Sequence, residues 1–453
     1  MNTDYQQIKN WLRERQISEV EALVPDMTGN ARGKFIPAQQ YLEQGEPRLP
    51  ESILIQTVTG EYSDDHWDFV EPTDADMLLR PDPSTLRVVP WAREPTAQIV
   101  HDCITLSGDD PGKLHPLATR GVLRRILDAY EAQGLQPVVA PEVEFYLVSK
   151  NLDPDNELTP PVGRSGRAES SRMSYSIDAV AEFEDFVEDM YDYAEAQDLA
   201  VDTLIHENGA AQMEINFIHG DAMSLADQVF VFKRTVREVA HRHNMYATFM
   251  GKPMQEEPGS ALHIHQSVLN METGENIFVG ADGGHSDAFL SYIAGLQRFT
   301  PELISLYAPN VNSYRRLAPD ISAPINLNWG LDNRTTAFRV PESSAAATRV
   351  ENRFPGADAN PYLALAASLA SGLLGMRLGL AATEPHQGTA NEDAVEVART
   401  LEEGLRDLQE TPELTELFGE KFLRAYAAVK LDEFEEFNRV ISSWEREHLL
   451  LQV

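Results

Sequence analysis

The sequence predicts an α+β protein in which a small β-rich domain precedes a large domain, where helices back an antiparallel sheet. Two observations carry this prediction. Residues 1–105 are dense in proline and short apolar segments, whereas from about residue 115 amphipathic helices alternate with strands of strict period-two polarity. The intervening segment 107–116 (SGDDPGKLHP) has the composition of a linker. We therefore expect two domains, at residues 1–108 and 109–453.

The first domain begins with a helical pattern at residues 5–15. Two strand-like segments follow, 21–26 (EALVPD) and 34–38 (KFIPA), joined by a basic turn that contains glycine. Residues 51–58 (ESILIQTV) and 74–91 combine short apolar segments with proline, a composition typical of strands and loops.

The second domain carries the long helical patterns. Three amphipathic helices are predicted at 119–134, 182–197 and 224–243. The most apolar run, 362–376, follows a favourable helix start at Asn360-Pro361, contains Ser and Gly, and is too short to span a bilayer, so we expect a buried helix. The acidic tail from Glu392 onward is also helical in pattern.

Four segments between these helices alternate strictly between apolar residues and residues that bind metal or phosphate. Their polar faces carry Glu142 and Glu144; Gln212 and Glu214; His263, His265 and Ser267; and Arg349, Glu351 and Arg353. For any one strand, a solvated sheet face explains the pattern equally well. None of the four faces carries Lys, however, and adjacent carboxylates repel unless a cation lies between them. Together the faces predict a divalent-metal site beside an anion site in an enzyme that handles phosphate.

The common phosphate-binding loops are missing from the sequence. The string GNARGK at residues 29–34 is one residue short of a Walker A loop and lacks its Ser or Thr, and no glycine-rich fingerprint opens a helix after a strand. Arginine forks can take this role, because they bind phosphate and carboxylate bidentately. Six arginines fall within about forty residues: Arg315, Arg316, Arg334, Arg339, Arg349 and Arg353.

The composition of the chain limits the classes of partner that it can bind. The chain has 453 residues, 72 acidic and 37 basic, and its net charge of −35 argues against nucleic acid or an anionic membrane as a partner. The same charge would attract cations such as polyamines, and it also fits a salt-adapted source. One cysteine, Cys103, excludes an internal disulfide and fits a reducing compartment. The polar N-terminus lacks the apolar core of a signal peptide, so we expect a cytoplasmic protein.

Several strings resemble, in the same order, the signature blocks of the glutamine synthetase superfamily: PEVEFYL, ENGAAQMEINF, KPMQEEPGSALHIHQS, NSYRRLAP, NRTTAFRVP and RVENRFPGADANPYLALAA. The resemblance implies an N-terminal β-grasp domain and a catalytic domain with a curved, funnel-shaped antiparallel sheet. It also implies a dodecamer of two hexameric rings with active sites between subunits. The implied activity is the ATP-dependent formation of a γ-glutamyl amide through γ-glutamyl phosphate.

The same resemblance assigns roles residue by residue. It implies one metal on Glu144, Glu207 and Glu214, and a second on Glu142, His263 and Glu351, where oxygen-rich ligands suit Mg²⁺ or Mn²⁺. It implies phosphate binding by Arg334, Arg339 and Arg349, glutamate binding by Gly259, Arg316 and Arg353, and nucleotide contacts by His265 and Ser267. Arg334, Arg339 and Glu207 are the implied catalytic residues.

The chain departs from glutamine synthetases proper where ammonium binds. Ser322 stands where they carry a Glu that helps bind ammonium, and Pro258 stands where they carry Asn. Their first-domain Asp has no clear counterpart near Pro50 and Glu51. The Pro-Gly form at Pro258, like the triplet HIH at residues 263–265, resembles the branch that joins glutamate to larger amines. The change is physically sensible, because ammonium needs a small anionic pocket whereas an alkylamine needs room.

We therefore expect an ATP-dependent ligase that joins the γ-carboxylate of glutamate to an amine, putrescine or another polyamine. Two alternatives stay open. One is a true glutamine synthetase with a rebuilt ammonium site. The other is a non-catalytic sensor or structural homologue, against which the intact metal and arginine sets argue.

Overall fold

The structure is a computed structural model that describes residues 3–106, 110–170, 172–318, 323–391, 393–408 and 411–453. In these ranges the α-helices are α1 Thr3–Glu14, α2 Ala38–Gln44, α3 Thr119–Glu131, α4 Ile177–Ala181, α5 Glu184–Ala196, α6 Ala222–Arg242, α7 Asp287–Tyr307, α8 Pro361–Leu378, α9 Leu401–Leu408, α10 Pro412–Phe418, α11 Glu420–Asn438 and α12 Ser443–Leu449. The strands are β1 Glu19–Pro25, β2 Ala31–Pro37, β3 Arg48–Pro50, β4 Asp76–Pro81, β5 Arg87–Val88, β6 Thr96–Ile104, β7 Leu135–Ser149, β8 Val201–His206, β9 Gln212–Phe217, β10 Gly220–Asp221, β11 Met245–Thr248, β12 Leu262–Asn270, β13 Trp329–Leu331, β14 Phe338–Val340 and β15 Val350–Asn352. The predicted α+β class is confirmed.

The first sheet has the order β2-β1-β6-β4-β3, with β5 also paired to β6, and β1 and β6 run parallel. The turn between β1 and β2 has Gly29 at φ +83° and is closed by Asp26, which accepts from the backbone N–H of Asn30 at 2.9 Å. Residues 51–58, expected to be strand or loop, instead begin with a 3₁₀-helix at Glu51–Ile55. Burial explains this outcome, because Leu54 and Ile55 are adjacent and both buried, which a one-sided strand cannot achieve.

The second sheet has the order β13-β14-β15-β12-β7-β9-β8, with β10 and β11 also paired to β7. The four strands predicted to carry polar faces are therefore neighbours, in the order β15-β12-β7-β9. Their antiparallel register sets His263 opposite Glu142, Glu144 opposite Glu214, and His265 opposite Glu351. The expectation of a wholly antiparallel sheet was wrong at one edge, where the short strands β13 and β14 run parallel.

The helices back this sheet as the sequence predicts. Helix α8 begins after Asn360, whose side chain accepts from the backbone N–H of Tyr362 at 3.0 Å, and it ends at Gly379 with φ +59°. By length and composition α8 could cross a membrane, yet 83% of it is buried inside the protein. The predicted buried helix is confirmed.

The two parts of the chain meet at a buried arginine. Arg120 on α3 donates to Asp82 and Asp102 of the first part and to Asp227 on α6, the last at 3.0 Å. The expected boundary at residue 108 falls at 107–109, outside the described residues. Cys103 on β6 is buried, and burial raises the pKa of its thiol.

Candidate active site and metal centre

The four adjacent strands line a cavity of about 420 Å³ on their polar faces. Most of the sequence-predicted site residues in the described ranges line it: Glu142, Glu144, Glu207, Glu214, Gly259, His263, His265, Arg316, Arg334, Arg339, Arg349 and Arg353. Glu351 is 1% exposed, with its oxygens hydrogen-bonded to arginines of that wall. Ser267 lies in an adjoining cavity, which shares Glu142, His265 and Arg349 with the first. Ser322 lies outside the described residues.

One part of the cavity is crowded with carboxylates. Glu144 on β7, Glu207 after β8 and Glu214 on β9 place ligand oxygens within 4.8 Å of one another. Burial and the charge of Glu207 raise the pKa of Glu144 to about 7. Burial and four neighbouring carboxylates raise the pKa of Glu214 to about 10. We refer to these three residues as the carboxylate cluster.

The carboxylate cluster fits a hard divalent cation. Three carboxylates in one place are oxygen ligands of the kind that Mg²⁺ and Mn²⁺ prefer. Without a cation, the burial and the mutual repulsion of these groups favour protonation. Burial likewise raises the pKa of Glu207. The structure therefore brings together the three residues that the sequence assigns to the first metal.

The neighbouring part of the cavity is balanced in charge. Glu142 accepts from His265 Nε2 at 3.0 Å and lies 3.5 Å from His263 Nδ1. Burial works against the ionisation of Glu142, but hydrogen bonds from His263 and His265 bring its pKa well below the ordinary value. Burial lowers the pKa of His263 to about 4, so its imidazole is neutral and able to bind a metal. One oxygen of Glu351 lies 3.8 Å from His263 Nδ1. We refer to Glu142, His263, His265 and Glu351 as the mixed cluster.

His265 is closer to the second metal set than the sequence suggests. A ring nitrogen of His265 lies within 4.8 Å of oxygens of Glu142 and Glu351. A ring nitrogen of His263 forms a second such group with oxygens of Glu142 and Glu214. Arg349 Nε donates to His265 Nδ1 at 3.2 Å, so Nδ1 accepts and Nε2 carries the proton given to Glu142. His265 thus connects the mixed cluster to Arg349.

Two arginines hold Glu351 at the base of the cavity. Arg339 Nη1 donates to one of its oxygens at 2.7 Å, and Arg353 donates to the other. Burial opposes ionisation of Glu351, but the charge of Arg353, followed by the two histidines, lowers its pKa to about 2. The remaining face of Arg339 bonds to Asp332, at 2.6 Å from Nη2. No pattern in the sequence singles out Asp332.

Arg316 and Gly259 pack against each other. A Cβ on Gly259 would come within 2.7 Å of the Arg316 side chain, so only glycine fits there. Arg316 uses both terminal nitrogens on backbone carbonyls, donating to Phe354 at 2.7 Å and to Arg353 at 2.9 Å. It therefore supports the chain that carries Arg353. Arg353 Nε is buried and has no partner in the described part of the chain.

Sequence reasoning missed several lining residues. Asn216 continues the polar face of β9 after Gln212 and Glu214, so the same alternation could have identified it. Ile205 and Ala323 are apolar and carry no chemical signal. Tyr175 lies in an irregular segment at φ +61°, and nothing in the local pattern marks it as a wall of the cavity.

Comparison with known proteins places the chain in a family. Residues 116–449 match the family model described as the glutamine synthetase catalytic domain. The chain belongs to this family. It is 34% identical to the γ-glutamylputrescine synthetase PuuA of Escherichia coli (strain K12), with 98% of this chain and 94% of the relative covered. Against the glutamate–isopropylamine ligase of a Pseudomonas species it is 32% identical, with coverages of 97% and 96%.

Solved structures of the family agree with the fold. The structure of apo GmaS without ligand superposes with a TM-score of 0.82 at 26% identity, covering 97% of this chain and 98% of GmaS. The glutamine synthetase of Thermococcus kodakarensis is 32% identical over 92% of this chain and 89% of that protein. Family members named for different amines thus match nearly the full length of the chain.

Proposed function

We propose that the protein is an ATP-dependent ligase that joins the γ-carboxylate of glutamate to an amine. The observation that carries this proposal is the convergence of two acidic clusters and five arginines on one cavity. Two of the relatives support it, since their names describe the joining of glutamate to putrescine and to isopropylamine.

The reaction divides into two balanced steps. A γ-carboxylate oxygen of glutamate attacks the γ-phosphorus of ATP, and ADP leaves, which gives γ-glutamyl phosphate. The amine nitrogen then attacks the acyl carbon, phosphate leaves, and the amine gives up a proton. Arg334, Arg339 and Arg349 are proposed to hold the phosphate oxygens, because guanidinium forks neutralise the charge that spreads over them.

The carboxylate cluster and the mixed cluster are proposed to hold two divalent cations, Mg²⁺ or Mn²⁺. When bound, such cations supply charge neutralisation at the phosphates. Glu207 is the third catalytic residue of the proposal. Its membership of the carboxylate cluster and the charge of Arg334, which acts on it, support that role. His265 and Ser267 are proposed to face the nucleotide, since both line the second cavity.

Arg353, with Gly259 and Arg316, is proposed to hold glutamate. Its buried, unpartnered Nε supports this role, because an arginine with unused donors can accept a carboxylate. The close packing of Gly259 on Arg316 would keep this wall rigid.

For the amine we propose putrescine or another polyamine. Ile205 and Ala323 bring apolar surface to the cavity that contains Glu207, and such a wall suits an alkyl stem. Ser322, at the position where glutamine synthetases carry a Glu, is proposed to set amine specificity.

The remaining features are proposed on the same family grounds. Residues 1–108 would form a β-grasp domain and residues 109–453 the catalytic domain. The subunits would assemble as a dodecamer of two hexameric rings with active sites between subunits, in the cytoplasm. Size-exclusion chromatography with light scattering would test the assembly, with a mass near twelve times 50.6 kDa expected.

An ADP-release assay tests the proposal. The protein is incubated with ATP, Mg²⁺ or Mn²⁺ and glutamate, together with ammonium, putrescine, spermidine, ethanolamine, isopropylamine or methylamine. We expect release that needs glutamate, metal and an alkylamine, with ammonium a poor substrate. Ser322→Glu should lower polyamine use, because it adds bulk and charge where the alkyl stem would lie.

Glutamine synthesis is the second candidate, favoured by relatives of that name at 31–33% identity. Ammonium turnover equal to that of every amine, unchanged in Ser322→Glu, would support it. Absence of any glutamate-dependent ADP release would favour a non-catalytic homologue.

A further inference from the structure

A half-buried carboxylate outside the proposed ligand sets, Glu169, closes the turn that carries Glu207. Glu169 Oε2 accepts from the backbone N–H of Ala211 at 2.7 Å and from His206 Nε2 at 3.0 Å. His206 is fully buried, and its Nδ1 donates to the carbonyl of Glu207 at 2.7 Å. One oxygen of Glu169 therefore links the residue before Glu207 to a residue four positions after it.

The turn itself is strained and closely packed. Ala211 lies at φ +56°, a left-handed conformation that is strained for a residue other than glycine and persists where surrounding contacts impose it. The bond from its N–H to Glu169 is such a contact. At the centre of the turn, a Cβ on Gly209 would come within 1.9 Å of the Tyr146 hydroxyl, so the backbone has no room to shift there.

Both ring nitrogens of His206 have partners. One faces the carboxylate of Glu169 and the other faces the carbonyl of Glu207. Because His206 is fully buried, loss of the Glu169 acceptor would leave a buried donor without a partner. The other oxygen of Glu169 has no hydrogen-bond partner in the described part of the chain.

We propose that Glu169 and His206 are positioning residues that fix Glu207 within the carboxylate cluster. This inference rests on the proposed function, because it concerns the metal that Glu207 would help to hold. The turn also bears Gln212, whose amide donates to Glu144 and to the carbonyl of Gly259, both at 3.1 Å. Movement of the turn would therefore disturb the carboxylate cluster as a whole.

Equilibrium binding of Mn²⁺ to the full-length protein, measured by calorimetry without substrates, tests the inference. Glu169→Ala removes the acceptor that both donors need. We expect it to weaken one class of Mn²⁺ site about tenfold, within the range found when partners of metal ligands are replaced. Glu184→Ala is the matched control, because Glu184 is an exposed acid that pairs with Arg164. It should bind Mn²⁺ as the wild type does.

The double variant separates positioning from a general structural effect. Because both residues act through the same turn, Glu169→Ala/His206→Gln should bind Mn²⁺ within about twofold of Glu169→Ala alone. Should Glu169→Ala fail to fold, Glu169→Asp, which is one methylene too short to reach both donors, replaces it with the same expectation.

An isotherm identical to that of the wild type for a folded Glu169→Ala or Glu169→Asp protein would overturn this inference and leave the proposed function intact. A wild type that binds no Mn²⁺ would overturn the metal centre itself, and the inference with it.

Discussion

The two halves of the candidate metal centre have similar ligands but opposite electrostatics. In the carboxylate cluster, Glu144 and Glu214 face other carboxylates, and their pKa values rise to about 7 and about 10. In the mixed cluster, Glu351 lies against two arginines and two histidines, and its pKa falls to about 2. The first half therefore depends on an added cation, whereas the second is held by cations that the chain supplies.

This difference indicates which of the two clusters can form before a metal binds. A cluster already held by Arg339 and Arg353 can fold in its final geometry without a metal, and a cluster of repelling carboxylates gains most when a metal binds. We infer that the mixed cluster is the rigid base of the site and that the carboxylate cluster is completed by its ion.

Loss of a ligand from either cluster should have the largest effect. We expect Glu144→Gln and Glu351→Gln each to lower glutamate-dependent turnover by roughly 10²-fold or more, because each removes a proposed ligand of a cation that would neutralise the transferring phosphoryl group. Steady-state ADP release would measure this. Glu272→Gln, on an exposed turn beyond β12, is the control. Near-normal turnover in a folded Glu144→Gln protein would remove that residue from the metal centre.

Stability of the metal-free protein should separate the two clusters by sign. Glu351→Gln leaves Arg339 and Arg353 without their buried counter-ion, so we expect it to destabilise by about 2 kcal/mol. Glu214→Gln removes a repelling carboxylate and should leave stability unchanged or raise it. Thermal unfolding in chelator measures both. Equal destabilisation by the two changes would show that the clusters do not differ as described.

The arginines on the proposed glutamate wall should also differ. We expect Arg353→Lys to lower kcat/KM for glutamate about tenfold, because a bidentate fork becomes a point charge. Arg316→Lys should lower stability as well as the use of glutamate, since its guanidinium also supports the backbone of Arg353 and Phe354. Glutamate kinetics and thermal midpoints on both variants distinguish these effects. An unchanged KM and kcat in Arg353→Lys would make that arginine structural.

The smallest effect concerns pH. Between the ordinary value near 4.5 and the folded pKa of about 7, folded Glu144 holds a proton that the unfolded chain releases. Raising the pH through this window therefore lowers the stability of the metal-free protein. Glu144→Gln should reduce the loss, and saturating Mn²⁺ should abolish it. Glu351 has the opposite sign, because its contribution is complete above about pH 4.5 and is lost as the pH falls towards 2.

The sequence predicted the parts of this site that follow a regular period. The polar faces of β7, β9, β12 and β15 were readable because side chains alternate on a strand, and the buried helix α8 was readable from its apolar run behind Asn360. It also predicted the carboxylate cluster, because the family blocks mark Glu207 together with Glu144 and Glu214.

What the sequence did not predict lies in irregular segments. Tyr175, Glu169 and Asp332 reach the site or its supports from loops, where no period relates residue number to direction. The partnering of Arg316 with backbone carbonyls was likewise unpredictable, since it depends on the path of the chain after β15. Long-range packing decides such contacts, and one sequence does not encode them as a local pattern.

Transfer of oxygen from glutamate to phosphate tests the central claim most directly. The protein is given ATP, Mg²⁺, putrescine or the best amine, and glutamate labelled with ¹⁸O in its γ-carboxylate, and the released phosphate is analysed by mass spectrometry. The account predicts one ¹⁸O atom in each phosphate, because the attacking carboxylate oxygen leaves with phosphorus when the amine captures the acyl group. Phosphate that is released without label would mean hydrolysis of ATP by water, and would contradict the proposed ligase.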